Sequence, residues 1–321
     1  MKYSFIKTKL FALFMILVAV IVLAALRGSV NFSVSELFLQ GNRAILYLRL
    51  SRIMMAIVAG SGLAVSGIAL QSILRNPLAE PYILGTSSGA GLGAIAGIII
   101  GLPKLYIPIL AFVTAILTVI LVYNLARYGN KVPIQSLILS GVIVSIAFSA
   151  VIIFMVSMSS DEALHGAIWW LWGSLQVYDI KLLLIVTGVV GLGILAIFIF
   201  SQDLNAISFG EEEAVHLGIN TEVIKKLLFF ITALITASLV SICGIIGFVG
   251  LIVPHMMRLI VGGNHKVLIP TACLGAAIFM IICDMFSRTL FPPAEVPIGV
   301  ITAVVGAPLF VILLKRKQGV K

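Results

Sequence analysis

With 321 residues, 61% of them hydrophobic and only 10% charged, the chain lacks the roughly 25% charged residues that a soluble surface carries. This excludes a disordered chain, a disulfide scaffold, a nucleic-acid binder and a soluble enzyme, and leaves a protein with many membrane spans. The net charge of +9 is scattered between apolar runs; it does not gather into the basic patch that nucleic acid requires.

A bilayer core of about 30 Å needs about 20 apolar residues per helix. The sequence offers ten such runs, at 10–26, 53–74, 83–102, 105–126, 133–157, 179–200, 222–243, 246–262, 267–289 and 297–314. The first follows Lys2, Lys7 and Lys9. It reads as a span, because it is long for a cleaved signal and no A-x-A site follows it. Gly60, Gly62, Ala64 and Ser66 repeat a small-residue spacing, and 85–97 (GTSSGAGLGAIAG) is almost entirely small; such faces let helices approach closely in lipid. Between them NPLAEP, residues 76–81, forms a rigid turn.

Farther along, the polar cluster 157–162 ends the fifth run. The aromatic piece 165–175 with Trp169, Trp170 and Trp172 then predicts a short interfacial helix, since indoles favour the headgroup region. Residues 203–222 are polar, bounded by glycine and long enough for two short helices. No formal charge lies between Lys226 and Arg258, and Gly244, Gly247 and Gly250 place a break near 244. Pro77, Pro81, Pro254, Pro270, Pro292, Pro293 and Pro297 are expected at the ends of spans, where a missing amide is tolerable. PPAEVP, 292–297, forms a second rigid turn.

Cytoplasmic loops collect Lys and Arg. With the N-terminus inside, 14 of the 21 basic residues fall on the inner side, Lys131 and Lys321 among them. The outer side holds Arg27, Arg43, Arg49, Arg52, Lys104, Lys181 and Arg288. The expected fold is therefore an all-α membrane protein of ten transmembrane helices, both termini cytoplasmic, forming a single domain over 1–321.

The chain carries no phosphate loop, H-E-x-x-H, G-x-S-x-G or dinucleotide fingerprint, so nucleotide hydrolysis is not expected of it. His165, His216, His255 and His265 are isolated from cysteine and from each other. Cys243, Cys273 and Cys283 lie in apolar stretches without C-x-x-C spacing and read as core hydrophobes. Neither a metal site nor a cofactor is expected. Ion-coupled carriers place acids within their spans, and Asp284 is the one candidate here. Arg288 follows four residues later on the same helical face, so an ion pair explains both; a proton relay on Asp284 is the alternative. A many-span chain without an energy source of its own needs a partner.

Four blocks together resemble the FecCD-type permeases, the membrane subunits of binding-protein-dependent ABC importers for ferric siderophores, haem and cobalamin. They are LRLSR, GSGLAVSGIALQ and NPLAEPYILGTSSGAGLGA within about 49–97; FGEEEAVHLGIN at 209–220; GIIGFVGLIVPHMMRLIVGGNHKVLIP at 244–270; and DMFSRTLFPPAEVPIGVITAVVGAPLFVILL at 284–314. The resemblance implies a permease of the type II importer architecture in the cell membrane, not an enzyme. It would pair with a second permease copy or a homologous permease, with ABC ATPase subunits on the cytoplasmic side and a substrate-binding protein outside.

The family pattern G-x-x-x-A-x-x-L-G is matched by Gly210, Ala214, Leu217 and Gly218, with Phe209 where Leu is common. This implies that 203–222 is the ATPase-coupling loop, with Ala214 and Leu217 offering a small apolar face to the partner. Arg49, Arg52 and Arg288 correspond to arginines that dock carboxylates of the binding protein, a pairing suited to the guanidinium fork. Ser51 replaces the proline of the usual R-x-P-R, and contact with membrane lipid headgroups is the alternative role. Asn76, Leu78 and Gln135 are the implied cytoplasmic gate. The cargo the resemblance implies is a ferric siderophore, with haem and cobalamin as alternatives. An ion-coupled secondary transporter and a membrane-embedded enzyme are the readings from other classes.

Overall fold

The computed structural model describes residues 2–28, 33, 40–129, 132–177 and 179–318; Lys131 and Lys321, counted among the inner charges, lie outside them. Ten helices coincide with the ten apolar runs: α1 (Lys2–Leu26), α2 (Arg43–Ile73), α3 (Thr86–Ile99), α4 (Tyr106–Ala126), α5 (Ile134–Ser157), α7 (Ile180–Ile199), α10 (Thr221–Cys243), α11 (Val249–Val261), α12 (His265–Thr289) and α13 (Ile298–Gln318). Three more, α6 (Asp161–Trp172), α8 (Ser201–Phe209) and α9 (Glu211–His216), lie in the connections. Among the described residues, seven helices are long and apolar enough to cross a membrane; the apolar stretches of α3, α11 and α13 are shorter.

The bundle is built around α2. Most of its apolar window, 83%, is enclosed by other helices, against 17% for α1 at the periphery. Its main neighbours are α7, α10, α11 and α12, with α1 and α8 also in contact. The small residues of α2 are what permit this. A Cβ on Gly60 would overlap the Ala276 carbonyl on α12, and one on Gly67 would overlap the Gly250 carbonyl on α11. Backbone thus approaches backbone, which supplies van der Waals contact where lipid removes the hydrophobic drive.

The expected break near 244 is where α10 stops. Gly244 has φ +67° and Phe248 φ +70°, and Ser174 N donates to the Cys243 carbonyl at 2.7 Å, joining the end of α6 to the break. The interfacial helix begins earlier than the aromatic cluster suggested, at Asp161, because the Ser160 hydroxyl accepts from Ala163 N as an N-cap. Two prolines depart from expectation. Pro254 and Pro270 lie inside α11 and α12. Pro254 has no N–H for the Gly250 carbonyl one turn earlier, and Gln71 Nε2 of α2 donates to that carbonyl instead, at 3.2 Å. A packing partner thereby replaces the missing helical bond. All three cysteines are free thiols, Cys243 and Cys283 buried and Cys273 partly so.

Candidate functional site

The residues singled out by the sequence gather at the two ends of α2. At its N-terminal end, Arg52 Nε and Nη2 donate to Asp284 Oδ1 at 3.0 and 2.8 Å, while Nη1 donates to the two Glu295 oxygens at 2.9 and 2.8 Å. Gln176 Nε2 donates to Glu295 Oε2 at 2.9 Å. Arg288 Nε lies 2.9 Å from Asp284 Oδ2 and donates to the Asp284 carbonyl at 3.3 Å. Val296 N donates to the Ser287 carbonyl at 3.0 Å, which fixes the loop bearing Glu295 against the end of α12.

Arg49 belongs to the same end but turns toward α1, where Nη1 donates to the carbonyls of Ala25 and Leu26 at 2.7 and 3.2 Å. Arg288 Nη2 reaches the Ala24 carbonyl at 3.4 Å. The last carbonyls of a helix have no partner within it, and cations at a C-terminus complement its dipole. Arg49, Arg52 and Arg288, expected on the outer side, are only 5%, 7% and 5% exposed. Arg52 is held inward by the Asp284 and Glu295 carboxylates, and Arg49 and Arg288 by the last carbonyls of α1. Ser51, at the position of the absent proline, lies within α2 and donates its hydroxyl to the Tyr47 carbonyl.

At the other end of α2 the chain turns through NPLAEP. Asn76 Oδ1 accepts from Leu78 N at 2.9 Å, an Asx turn, and Asn76 N donates to the Gln71 carbonyl at 3.1 Å. Leu78 is half exposed. Glu80 folds back onto the break before α11, accepting from Phe248 N at 2.7 Å. Burial pushes its carboxyl above the usual range, and the Phe248 amide pulls the other way. Gln135, at the start of α5, is exposed in an open cleft of about 960 Å³ with Arg75, Glu211 and Glu212; Asn76 and Leu78 are not in its lining. The three expected gate residues are therefore divided between the turn and this cleft.

The segment 203–222 contains most of α8, all of α9 and the turn into α10. Ala214 is fully buried, packed with Ala206, Ile207, Ile219 and Ile224. The expectation that Ala214 faces a partner is corrected: it is the centre of the segment's own small core, where a larger side chain has no room. The apolar surface is supplied by Phe209, Val215 and Leu217, which are 82%, 57% and 72% exposed. Gly218, at φ +80°, ends α9 in the left-handed conformation that glycine adopts freely. Lys225 Nζ sits 2.5 Å from Glu211 and 3.3 Å from Glu222, pinning α9 to α10.

Glu295, Gln176, Glu80 and Gln71 escaped the sequence reading as site residues. Two of them, Glu80 and Glu295, stand in the proline-rich turns NPLAEP and PPAEVP, where a lone acid between prolines was the available signal. Gln71 and Gln176 carry none.

The sequence pattern of the FecCD transport family matches residues 15–316. The chain is 38% identical to the cobalamin import system permease BtuC of Halobacterium salinarum over 84% of this chain and 73% of the relative. It is 35% identical to the Fe(3+) dicitrate permease FecD of Escherichia coli over 84% of each, and 34% identical to the hemin permease HmuU of Yersinia pestis over 85% and 83%. Among solved structures, an inward-facing metal-chelate type ABC transporter superposes with a TM-score of 0.90 at 34% identity, covering 97% of this chain and 99% of that one.

Proposed function

The chain belongs to the FecCD transport family and is a multi-pass permease of the cytoplasmic membrane; we propose that it carries a ferric siderophore inward on ATP hydrolysed by a separate subunit. The observation that carries the reading is the near-complete superposition on a metal-chelate ABC transporter at 34% identity. Haem and cobalamin form the second reading for cargo. Permeases named for dicitrate iron, hemin and cobalamin are 34–38% identical to this chain, so cargo identity is set largely by the binding protein that delivers it.

In this reading ten helices span, the three shorter ones included, and both termini are cytoplasmic, as the 14 to 7 division of basic residues favours. The chain is one permease domain over 1–321. Phe209 and Leu217 contact the ATPase, while Gly210, Ala214 and Gly218 shape the segment that presents them. Asn76, Leu78 and Gln135 border the cytoplasmic exit. Arg49, Arg52 and Arg288 serve binding-protein docking from within, by holding α1, α12 and the Glu295 loop in position rather than by reaching into solvent. A second permease copy or a homologous one completes the path.

An ion-coupled carrier would need a free acid in the membrane, and Asp284 is enclosed by Arg52 and Arg288 at 2.8 and 2.9 Å. The deciding experiment is uptake into proteoliposomes holding the permease, its ATPase and its binding protein, with ferric siderophores, haem and cobalamin compared. ATP-dependent accumulation of a ferric siderophore supports the reading, and accumulation by the permease alone on an ion gradient overturns it.

A further inference from the structure

A buried polar cluster joins the coupling segment to the gate turn, and neither of the sites above uses it. His265, the first residue of α12, is 3% exposed. Asn205 of α8 accepts from the His265 backbone N at 2.9 Å and lies 2.7 Å from ring Nδ1 through the same Oδ1. An amide oxygen only accepts, so Nδ1 bears a proton. The other ring nitrogen, Nε2, is then an acceptor and lies 2.7 Å from the Ser72 hydroxyl, whose one proton is shared with the Ile68 carbonyl at 2.9 Å; Ser72 is buried in the last turn of α2. His265 therefore ties α8 to α2 with one nitrogen on each.

From that last turn the connection continues. Gln71, beside Ser72, accepts from Arg258 Nη1 at 2.7 Å and donates through Nε2 to the Ala79 carbonyl at 3.4 Å. Its own carbonyl accepts from Asn76 N. The NPLAEP turn is thus held at its first residue, Asn76, and at Ala79 by Gln71, whose neighbour Ser72 meets His265. The helix that opens the 203–222 segment and the helix that ends at the NPLAEP turn thus meet on one imidazole.

We propose that His265 is a positioning residue that transmits displacement of the 203–222 segment to the gate turn, through Asn205 and Ser72. The inference rests on the permease reading, and its test separates the two. Spin labels are placed on Leu78→Cys and on Glu212→Cys, each paired with Leu125→Cys as a fixed reference at the exposed end of α4, in a background without the three native cysteines. Distances are measured in the assembled permease–ATPase complex in lipid nanodiscs, with and without trapping by ATP and vanadate.

In the otherwise unaltered complex both labelled sites respond to trapping. Ser72→Ala and His265→Leu leave the Glu212 response intact and weaken the Leu78 response about tenfold, within the range for residues inside a coupled network. His265→Gln, which keeps a donor and an acceptor, restores part of it, and Ser72→Ala adds nothing further to His265→Leu. An unchanged Leu78 response in Ser72→Ala, which removes a single hydroxyl and does not depend on a disruptive change, overturns the proposal. Silence of the Glu212 pair in the unaltered complex overturns the coupling role of 203–222, and this inference with it.

Discussion

Arg52 and Asp284, 232 positions apart, meet with Nη2 2.8 Å from Oδ1 in a setting where Asp284 is completely buried. Removing one member of a buried pair strands the other charge and costs about 3–5 kcal/mol. Asp284→Asn leaves both Arg52 and Arg288 without their shared carboxylate, so the thermal midpoint of the purified permease falls sharply. Glu295, 2.8 Å from Arg52, retains one contact, which places the loss toward the lower end of that range. Replacing Arg52 and Asp284 together by leucine recovers most of the midpoint. Uptake by the unaltered importer is insensitive to a protonophore at constant ATP; sensitivity would return Asp284 to the role of a relay.

The segment 203–222, proposed above to meet the ATPase, separates contact from architecture. Phe209 and Leu217 project into solvent while Ala214 lies at 0% exposure among Ala206, Ile207, Ile219 and Ile224. Replacing Phe209 and Leu217 by serine removes apolar surface without filling any space. The variant folds as well as the parent but retains less ATPase on co-purification. Ala214→Arg forces a charge into the segment's core and lowers the thermal midpoint as well as ATPase binding. Equal stability of the two variants would mean that the small core is not what shapes the segment.

Close backbone approach predicts a sharp contrast between two glycines. Gly67 faces the Gly250 carbonyl so closely that a methyl group cannot fit, whereas nothing lies within 4 Å of a Cβ on Gly263. Gly67→Ala must move α2 off α11, at about 1–3 kcal/mol for overpacking plus strain on the Gln71 bond to Gly250. Gly263→Ala is near neutral. The comparison is read from thermal midpoints and from uptake, and equal midpoints would dismiss the packing account of α2.

Much of this was legible beforehand, for reasons that differ by residue. Apolar runs longer than a bilayer need only composition to be seen, so the helices were located, and Gly244 marked the break because its positive φ ends α10. Asp284 and Arg288 could be paired from a spacing of four. The partners that came from afar could not. Nothing in the order of residues says that Arg52 turns inward to Asp284, that the α1 carbonyls capture Arg49, or that Gln71 takes over the carbonyl freed by Pro254. Ala214 was misjudged because small residues serve equally for partner contact and for tight internal packing, and only the surrounding side chains separate the two.

The turn between α2 and α3 sets the last expectation. Leu78 is 49% exposed, and its backbone N–H is engaged by Asn76 Oδ1, which fixes the backbone from which the side chain projects. Leu78→Cys in two paired copies should cross-link readily and block uptake, with ATP hydrolysis continuing, and a reductant should restore transport. Asn76→Ala removes the oxygen that fixes the turn; a neutral hydrogen bond contributes about 0.5–1.5 kcal/mol, so folding survives while Leu78 samples more positions. Cross-linking in that background becomes slower and less complete, and ATP hydrolysis without uptake increases. Full transport by the cross-linked protein would remove Leu78 from the gate and leave the Asn76 turn a purely structural link between α2 and α3.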